Sequence, residues 1–343
     1  MKVKLKGIIR AILFLGLGIF LVSYALKGLG PEERTQMKTA FAEAEYTWLF
    51  VSILFGIFSH WIRALRWNLL IDPLREGKTN AGNTMGAVMV GYLANLAIPR
   101  LGEVTRCGVL NKYEKVPFTT LLGTVITERI VDMLLVVLIM ILNVLIEYKE
   151  MYRFFSNKIM IPMQEKLGNT DPMLPIGMVV LGVILFIFIR IRRKKKSAEQ
   201  AKPEGKVAAF MKGMGEGLKS IRKLEKPGLF YIYSILIWVG YFISTWICFF
   251  SFESTSGLSL GAGLSVLTFG SFAMIAVQGG IGAYPLMVML ILQEYDIEKV
   301  SGLAYGWIVW SGQFVLILAG GFFSLLFLPV YESRRNKFKM GSR

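Results

Sequence analysis

Histidine and cysteine are nearly absent from this chain of 343 residues, which has one His and two Cys. The single histidine, His60, excludes most metal and triad chemistry that depends on histidine, and we expect it to lie as a polar residue inside a helical bundle. Cys107 and Cys248 are too far apart in the sequence for a zinc motif, and they form no disulfide framework. A nucleotide-binding motif is also missing. The sequence therefore predicts no catalytic residue of these kinds, no metal and no cofactor.

Acidic residues are few, with 23 Asp and Glu against 39 Lys and Arg, so that the net charge is +16. On a soluble domain this charge would suggest nucleic acid, but most of the basic residues cluster in short stretches between apolar runs. Hydrophobic residues make up 54% of the chain, and several runs approach the roughly 20 residues that a membrane-crossing helix needs. The composition predicts an all-α polytopic membrane protein without a nucleic acid partner.

The basic stretches predict which loops face the cytoplasm, because cytoplasmic loops of membrane proteins carry an excess of Lys and Arg. The strongest stretch is 190–196, so we expect 190–227 to be a basic cytoplasmic linker and 331–343 a basic cytoplasmic tail. The apolar run 5–26 follows basic residues, which favours an uncleaved first span over a signal peptide. Both termini are therefore predicted to be cytoplasmic.

Two apolar regions must begin and end on the same side of the membrane if the other runs cross it once. Residues 81–117 would begin and end in the cytoplasm, and residues 258–300 would begin and end outside. Helix breakers lie inside both, Pro99 and Gly102 in the first and a run of glycines in the second. We expect two re-entrant hairpins that enter from opposite faces. The alternative is that a hairpin crosses twice as two short helices.

The predicted architecture is a single integral membrane domain, residues 1–343, with about six full spans and two re-entrant hairpins in an inverted repeat. The predicted spans are 5–26, 46–71, 119–146, 174–189, 229–252 and 303–328, with an outside loop over 27–45. Spans 46–71 and 303–328 would run towards the cytoplasm, and spans 119–146 and 229–252 away from it.

The first half covers 5–189 and the second half covers 228–330. Inverted repeats whose broken helices meet near the membrane midplane are a recurring plan of transporters. The linker carries apolar residues at helical spacing over 207–224, so it is either an interfacial helix or a solvated basic linker.

Arg63 and Arg66 are the first of three polar groups predicted to meet inside the membrane. They are three residues apart and therefore share a helix face, next to Trp67. A guanidinium matches the geometry of a phosphate with two parallel hydrogen bonds, so this pair could bind a lipid phosphate. The alternative is ordinary anchoring by positive charge at the inner membrane surface, with Trp67 at the interface.

The second polar group lies around the tip of the first hairpin. Asn95 and Arg100, with amides freed beside Pro99, would form an anion site of the kind found at broken helix ends. Glu103 and Arg106 follow in the same segment. They would either contribute to a polar gate or pair with each other as a structural ion pair.

Glu128, Arg129 and Asp132 form the third group, inside the predicted span 119–146. A charge at this depth costs about 3 kcal/mol or more, so it usually faces a protein interior or a water-filled cavity and finds a partner. We expect Arg129 to pair with Asp132, and Glu128 to meet Arg100 or Arg106 from the hairpin. The candidate gate then consists of Glu103, Arg106, Glu128, Arg129 and Asp132. Such a gate could exchange a carboxylate for a lipid phosphate, or it could be a permanent salt-bridge network.

The turn of the second hairpin has no charge and carries Gln278, Gly279, Gly280 and Gly282. Glycines permit a tight turn and a close approach of the backbone, and their exposed amides could bind a headgroup. The motif is short, and its position opposite the first hairpin tip is what supports a functional interpretation.

Taken together, these pieces resemble the lysylphosphatidylglycerol synthase transmembrane region family, also described as flippase-like. The matching pieces extend over roughly residues 5–330 in the family's order. They are Arg63-x-x-Arg66-Trp67, Asn95 to Arg106 with Pro99-Arg100-x-Gly102-Glu103, Glu128-Arg129-x-x-Asp132, and Gly279-Gly280-x-Gly282.

The resemblance implies a translocator in the bacterial inner membrane that moves a phospholipid or a polyprenyl-phosphate-type lipid between leaflets, with membrane lipids as its partners. Bifunctional members of the family carry a large soluble acyltransferase-like domain, and the sequence ends at Arg343 without one. We therefore expect no enzymatic activity. The alternative function is a non-catalytic membrane partner or scaffold that docks a lipid-modifying enzyme through the linker.

Overall fold

The computed structural model describes residues 29–98, 100–162 and 213–341, together with the isolated Ser23 and Lys27. Over these residues the chain forms helices and turns and has no strand. The α-helices are α1 (Pro31–Glu43), α2 (Tyr46–Ile71), α3 (Ala81–Ala97), α4 (Leu101–Glu114), α5 (Phe118–Ile146), α6 (Tyr148–Phe155), α7 (Pro227–Ile247), α8 (Glu253–Ser256), α9 (Leu260–Ala276), α10 (Ala283–Leu292) and α11 (Lys299–Gly341). Short 3₁₀ segments cover Asp72–Leu74, Lys219–Lys223, Cys248–Ser251, Gln278–Gly280 and Gln293–Tyr295, and a π turn covers Ser156–Met160.

Residues 147–212 form a compact unit of their own, in which α6 and the π turn are described. The other unit contains residues 1–146 and 213–343. All the packing described below lies within this second, larger unit.

Four helical segments in the described part of the chain are long and apolar enough to cross a membrane. They are Tyr46–Leu74, Phe118–Ile146, Pro227–Ser251 and Lys299–Arg335, which are built on α2, α5, α7 and α11. The predicted all-helical, multi-pass membrane class is confirmed. The remaining two predicted spans, 5–26 and 174–189, lie outside the described residues.

The helices α2 and α7 pack along each other in opposite directions. Ser52 Oγ donates a hydrogen bond to the Ser244 carbonyl at 2.7 Å, and Ser244 Oγ donates one to the Ser52 carbonyl at 3.0 Å. Further along α2, Arg66 Nη1 donates to Ser234 Oγ at 3.2 Å. Residue numbers fall along α7 as they rise along α2, so the two helices are antiparallel.

Contacts to α2 also fix the directions of α5 and α11. Arg63 meets Asp132 while Trp67 meets Thr124, so α5 is antiparallel to α2. In α11, a Cβ built on Gly312 would contact Leu49, and Leu316, further on, faces Gly56, so α11 is parallel to α2. Thus α2 and α11 run one way and α5 and α7 the other, in agreement with the directions that the charge pattern predicted.

Two helical hairpins complete the bundle. Helices α3 and α4 have 17 and 14 residues, and α9 and α10 have 17 and 10, all shorter than the ~20 residues of a full crossing. The first hairpin follows α2 and the second follows α7. Because α2 and α7 are antiparallel, the hairpins enter the bundle from opposite ends. Their tips meet, since a Cβ built on Gly279 would lie 3.7 Å from Leu96 Cδ2.

The two halves of the bundle pack in the same pattern. In each half, the long helix before the hairpin packs against the first arm (α2 with α3, α7 with α9), and the second arm packs against the helix that follows (α4 with α5, α10 with α11). Across the halves, α5 packs against α9 and α11 packs against α3. The helices of the first half therefore correspond to those of the second half, α2 to α7 and α5 to α11, in an approximate two-fold arrangement with α2 and α7 at the centre.

A helix, α1, occupies part of a region that the hydrophobic pattern indicates as a loop. Pro31 stands in its first turn, and Glu33 Oε2 accepts the Gly30 N–H at 2.8 Å, which together favour a helix start. Within α1 only Met37 is buried, in a cluster that includes Leu303. One buried residue gives no helical periodicity, and this explains why the sequence pattern failed here.

The described end of the predicted linker is buried against α5. The Thr127 hydroxyl donates to the Gly217 carbonyl at 3.3 Å, and a Cβ built on Gly123 would lie 2.8 Å from Gly217 Cα. Ser220 is fully buried in the same segment. Over residues 213–223 the chain therefore packs on α5 with one side, while Lys219, Arg222 and Lys223 stay exposed. Residues 190–212 of the linker lie outside the described residues.

Candidate functional site

Five charged side chains from three helices are buried together inside the bundle. Arg63 and Arg66 come from α2, Arg106 from α4, and Glu128 and Asp132 from α5. Each of the five is at most 8% exposed. We refer to these five residues as the buried charge network.

The network is a continuous chain of ion pairs. Arg63 Nη1 donates to Asp132 Oδ2 at 2.6 Å, and Arg106 Nη2 donates to Glu128 Oε2 at 2.8 Å. Arg66 Nη2 lies between the carboxylates, 2.8 Å from Asp132 Oδ1 and 3.5 Å from Glu128 Oε1. The contact with Asp132 Oδ1 is close but lacks hydrogen-bond alignment, since that oxygen has no hydrogen-bond partner. The chain of pairs ties α2 and the first hairpin to α5.

Helical spacing explains why these residues meet. Glu128 and Asp132 are four residues apart and share one face of α5, while Arg63 and Arg66 are three apart and share one face of α2. Because α2 and α5 are antiparallel, each arginine faces a carboxylate. At a rise of about 1.5 Å per residue, Glu128 lies about 15 Å along α5 from its first residue. The charges are thus well inside an apolar span.

Aromatic rings support two of the arginines. The Arg106 guanidinium carbon lies 4.5 Å from the centre of the Trp67 ring, and that of Arg66 lies 5.7 Å from the centre of the Phe230 ring. Trp67 Nε1 donates to Thr124 Oγ1 at 2.8 Å, and the indole is completely buried. The interpretation of Trp67 as an interfacial residue was wrong, because its helix face points to α4 and α5.

Positive charge exceeds negative charge in the network, with three arginines against two carboxylates. In addition, the Nε atoms of Arg63, Arg66 and Arg106 are buried and have no hydrogen-bond partner among the described residues. An uncompensated charge and unpaired donors are costly away from water. An anion could therefore bind these arginines without breaking their existing ion pairs.

Glu103 and Arg129 form a separate and more accessible pair. Arg129 Nη2 lies 3.0 Å from Glu103 Oε1, with the side chains 44% and 24% exposed. The predicted pairing of Arg129 with Asp132 was wrong, because one residue of α5 turns the helix by about 100° and directs Arg129 away from the face of Glu128. The pairing of Glu103 with Arg106 was also wrong, whereas the pairing of Glu128 with Arg106 is confirmed.

The first hairpin tip is shaped by Asn95, whose Oδ1 accepts the Gly102 N–H at 2.7 Å. Arg100 is exposed at the same tip and adopts a left-handed backbone with φ 64°. It stays outside the buried charge network, and Glu128 pairs with Arg106 instead. Pro99 lies outside the described residues. A phosphate-binding role for Asn95 and Arg100 stays a prediction. Both residues lie at the same hairpin tip, as that role requires.

The second hairpin tip needs glycine for its backbone. Gly279, Gly280 and Gly282 have φ values of 63°, 67° and 70°, which residues with a Cβ rarely adopt. Trp310 Nε1 of α11 donates to the Gly279 carbonyl at 2.7 Å and holds the turn in place. Headgroup binding by its amides stays a prediction, and the side chain of Gln278 lies outside the described part.

His60 lies next to the network on α2. It is 5% exposed, its ring centre is 4.8 Å from that of Tyr92, and its Nδ1 lies 3.4 Å from the Tyr241 hydroxyl. The expectation that this histidine is a polar residue inside the bundle is confirmed. Its neighbours on α3 and α7 join both halves of the bundle.

Sequence reasoning missed a second polar cluster, at the end of α4 that is far from the tip. Glu114 Oε2 accepts from Arg75 Nη1 at 2.7 Å, while Oε1 accepts from Asn83 Nδ2 at 2.6 Å and Arg335 Nη1 at 3.1 Å. Burial disfavours the charged carboxylate, but these hydrogen bonds and the charge of Arg335 outweigh burial and lower the pKa of Glu114. Nothing in the local pattern signals this cluster, because its members come from distant segments.

Ser234 is a second residue that sequence reasoning missed. It is buried in α7, accepts from Arg66 and donates to the Phe230 carbonyl at 2.8 Å. A lone serine in an apolar run gives no sequence signal. Its contact with Arg66 is what connects the second half of the bundle to the network.

Comparison with known families identifies one match. The family model described as lysylphosphatidylglycerol synthase TM region matches residues 8–321, which include both hairpins and all five residues of the buried charge network. No curated protein and no solved structure matches the chain. Because the family match covers most of the sequence, the chain belongs to the lysylphosphatidylglycerol synthase TM region family.

Proposed function

We propose that this protein is a flippase-like translocator of the bacterial inner membrane, without enzymatic activity, which moves a phospholipid or polyprenyl-phosphate-type lipid between leaflets. The observation that carries the proposal is the buried charge network, an excess of guanidinium groups inside a bundle of apolar spans. An ionisable residue inside a membrane span is by default a candidate for a substrate or ion pathway.

The proposal places the two hairpins as re-entrant elements with their tips near the membrane midplane and both termini in the cytoplasm. The short arms, their opposite directions and the contact between Leu96 and Gly279 support this placement. Broken helices at this depth are tolerated where protein or water covers the freed backbone. The tips would then provide backbone amides and the exposed Arg100 where a headgroup crosses.

Translocation in this scheme opens one ion pair and keeps the others. The accessible pair of Glu103 and Arg129 separates first and admits the headgroup, because its desolvation cost is the smallest. The lipid phosphate then binds Arg63 and Arg66 through the Nε atoms that have no partner among the described residues, while Asp132 and Glu128 keep their ion pairs. The closed arrangement of ion pairs is restored when the headgroup leaves.

The experiment reconstitutes purified protein in vesicles that contain a fluorescent lipid and follows the crossing of that lipid with a membrane-impermeant quencher. Wild-type protein should accelerate crossing. Arg100→Asn should slow it about tenfold or more, because one charge-assisted hydrogen bond to phosphate is worth about 1.5–3 kcal/mol. Asn is used because it tolerates the left-handed backbone of this position.

Lys115→Asn is the matched control. Lys115 is also basic, exposed and left-handed, with φ 59°, but it lies at the other end of α4. This variant should cross lipid at the wild-type rate. Equal rates with and without wild-type protein would refute the proposal. Capture of a lipid-modifying enzyme that is lost on deleting 190–212, the part of the linker before the segment that packs on α5, would then point to a scaffold instead.

A further inference from the structure

We infer that the ligand of the buried charge network is a phosphodiester that carries a single negative charge, rather than a phosphomonoester or a zwitterionic headgroup. This inference rests on the proposed function and specifies its substrate class. It follows from the charges, the donors and the pairing of the carboxylates inside the network.

The charge count sets the charge of the ligand. Three buried arginines against two buried carboxylates leave one positive charge in excess among the described residues of the site. The neighbouring Glu103 and Arg129 neutralise each other. One negative charge therefore balances the site. A phosphomonoester, whose second pKa is about 6, would bring nearly two and reverse the imbalance.

The donors set the chemistry of the ligand. Each of Arg63, Arg66 and Arg106 keeps a buried Nε that has no hydrogen-bond partner among the described residues, and each of the three is at most 5% exposed. The two unesterified oxygens of a phosphodiester match the planar fork of a guanidinium. The ligand would therefore satisfy donors that have no partner within the described ranges of the chain.

The pairing of the carboxylates disfavours a zwitterionic headgroup. Glu128 faces Arg66 and Arg106, and Asp132 faces Arg63 and Arg66, so neither is available to an incoming ammonium group. A choline or ethanolamine headgroup would bring its cation next to an existing excess of positive charge. Like charges at short distance in a medium of low polarity repel strongly.

Ser234 offers a way to change the charge of the site without removing an ion pair. Its hydroxyl contacts Arg66 Nη1 at 3.2 Å, and the residue is 2% exposed. Ser234→Asp adds one carboxylate opposite Arg66 and makes the site neutral. Ser234→Asn has nearly the same size and leaves the excess charge in place, so it is the matched control.

The experiment measures thermal stabilisation of the purified full chain in detergent by defined probes. The probes are short-chain phosphatidylmethanol, phosphatidylcholine and phosphatidic acid, together with dimethyl phosphate and inorganic phosphate. Wild type and Ser234→Asn should be stabilised by phosphatidylmethanol at concentrations about tenfold lower than by the other two lipids, the difference expected from about 1.4 kcal/mol. Ser234→Asp should lose this preference.

Several results would overturn the inference. Phosphatidylcholine or phosphatidic acid could stabilise wild type as well as phosphatidylmethanol does, or better. Inorganic phosphate could stabilise wild type at concentrations as low as those of phosphatidylmethanol. Ser234→Asp could keep the wild-type preference for phosphatidylmethanol over the other two lipids. Stabilisation by dimethyl phosphate at higher concentration supports recognition of the phosphodiester itself, and stabilisation by the lipid alone supports recognition of the phosphodiester within a lipid. The probes can be compared on wild type alone, so a variant that does not fold leaves the inference testable.

The outcome separates this inference from the proposed function. A preference for phosphatidylmethanol in wild type that does not accelerate lipid crossing in vesicles would refute translocation and keep the phosphodiester site. Accelerated crossing at one rate for all three lipids would keep translocation and refute the charge selectivity.

Discussion

The two halves of the bundle share one packing pattern but differ in the chemistry at their centres. The first half buries five charges on α2, α4 and α5. In the second half, the contacts of α7, α10 and α11 include hydroxyls, aromatic rings and glycines. The Tyr305 hydroxyl donates a hydrogen bond to the Thr245 carbonyl, and Trp310 Nε1 donates one to the Gly279 carbonyl. Among the described residues of the second half, the same packing pattern has no such network of ion pairs at its centre. The packing pattern therefore does not itself require the charges of the first half, which is in keeping with the transport role proposed for them.

The largest expected effect comes from removing one carboxylate of the network. Glu128→Ala leaves Arg106 buried without its carboxylate partner and leaves Arg66 with Asp132 alone, and it should lower the free energy of unfolding by about 3–5 kcal/mol. Ser234→Ala, a truncation on the second-half side of the same site, should cost only about 1 kcal/mol. Unfolding in mixed micelles measures both. Losses of similar size would erase the contrast between the halves.

The two hairpin tips should respond differently to a methyl group. A Cβ on Gly102 would lie 2.6 Å from the Asn95 side chain and would also overlap the Gly91 backbone, so Gly102→Ala should cost about 2 kcal/mol and displace the tip. Gly279 has only Leu96 near it at 3.7 Å, so Gly279→Ala should cost about 1 kcal/mol, from its positive φ. The same unfolding assay compares them. A larger loss of stability for Gly279→Ala than for Gly102→Ala would show that the backbone conformation, and not the space for a methyl group, determines which residues the tips tolerate.

A smaller effect is expected at the Glu114 cluster. Its folded-state pKa is lowered, so the stability it contributes is present above the ordinary carboxyl pKa and is lost as the pH falls through the folded-state pKa. Glu114→Gln should therefore flatten this part of the stability curve between neutral and acidic pH. The pKa of Glu33 is lowered as well, by the Gly30 N–H and by Lys299, but Glu33 lies at the surface, so Glu33→Gln should change the curve less. Equal changes would contradict the assignment.

Much of the fold could be predicted from periodicity and charge. The bounds of α2 match the prediction, and counting crossings gave the two hairpins and the relative directions of the spans. Helix α1 was missed because its burial rests on Met37 alone.

The site could be predicted in composition but not in pairing. Spacing along one helix shows that Glu128 and Asp132 share a face, yet it does not show which helix lies opposite. The partners Arg63 and Arg66 come from α2, which is more than sixty residues away in the sequence. Ser234 and Glu114 gave no signal, because each acquires its role only from residues that the fold brings to it.

A transport role for the buried charges can be tested by replacing one ion pair of the network with apolar residues of similar size. Arg106→Met combined with Glu128→Leu keeps the excess positive charge and removes both members of one pair together, so stability should be retained or raised. If the charges serve transport, this folded variant should no longer accelerate lipid crossing in vesicles. A stable double variant that moves lipid at the wild-type rate would show that transport does not depend on this ion pair.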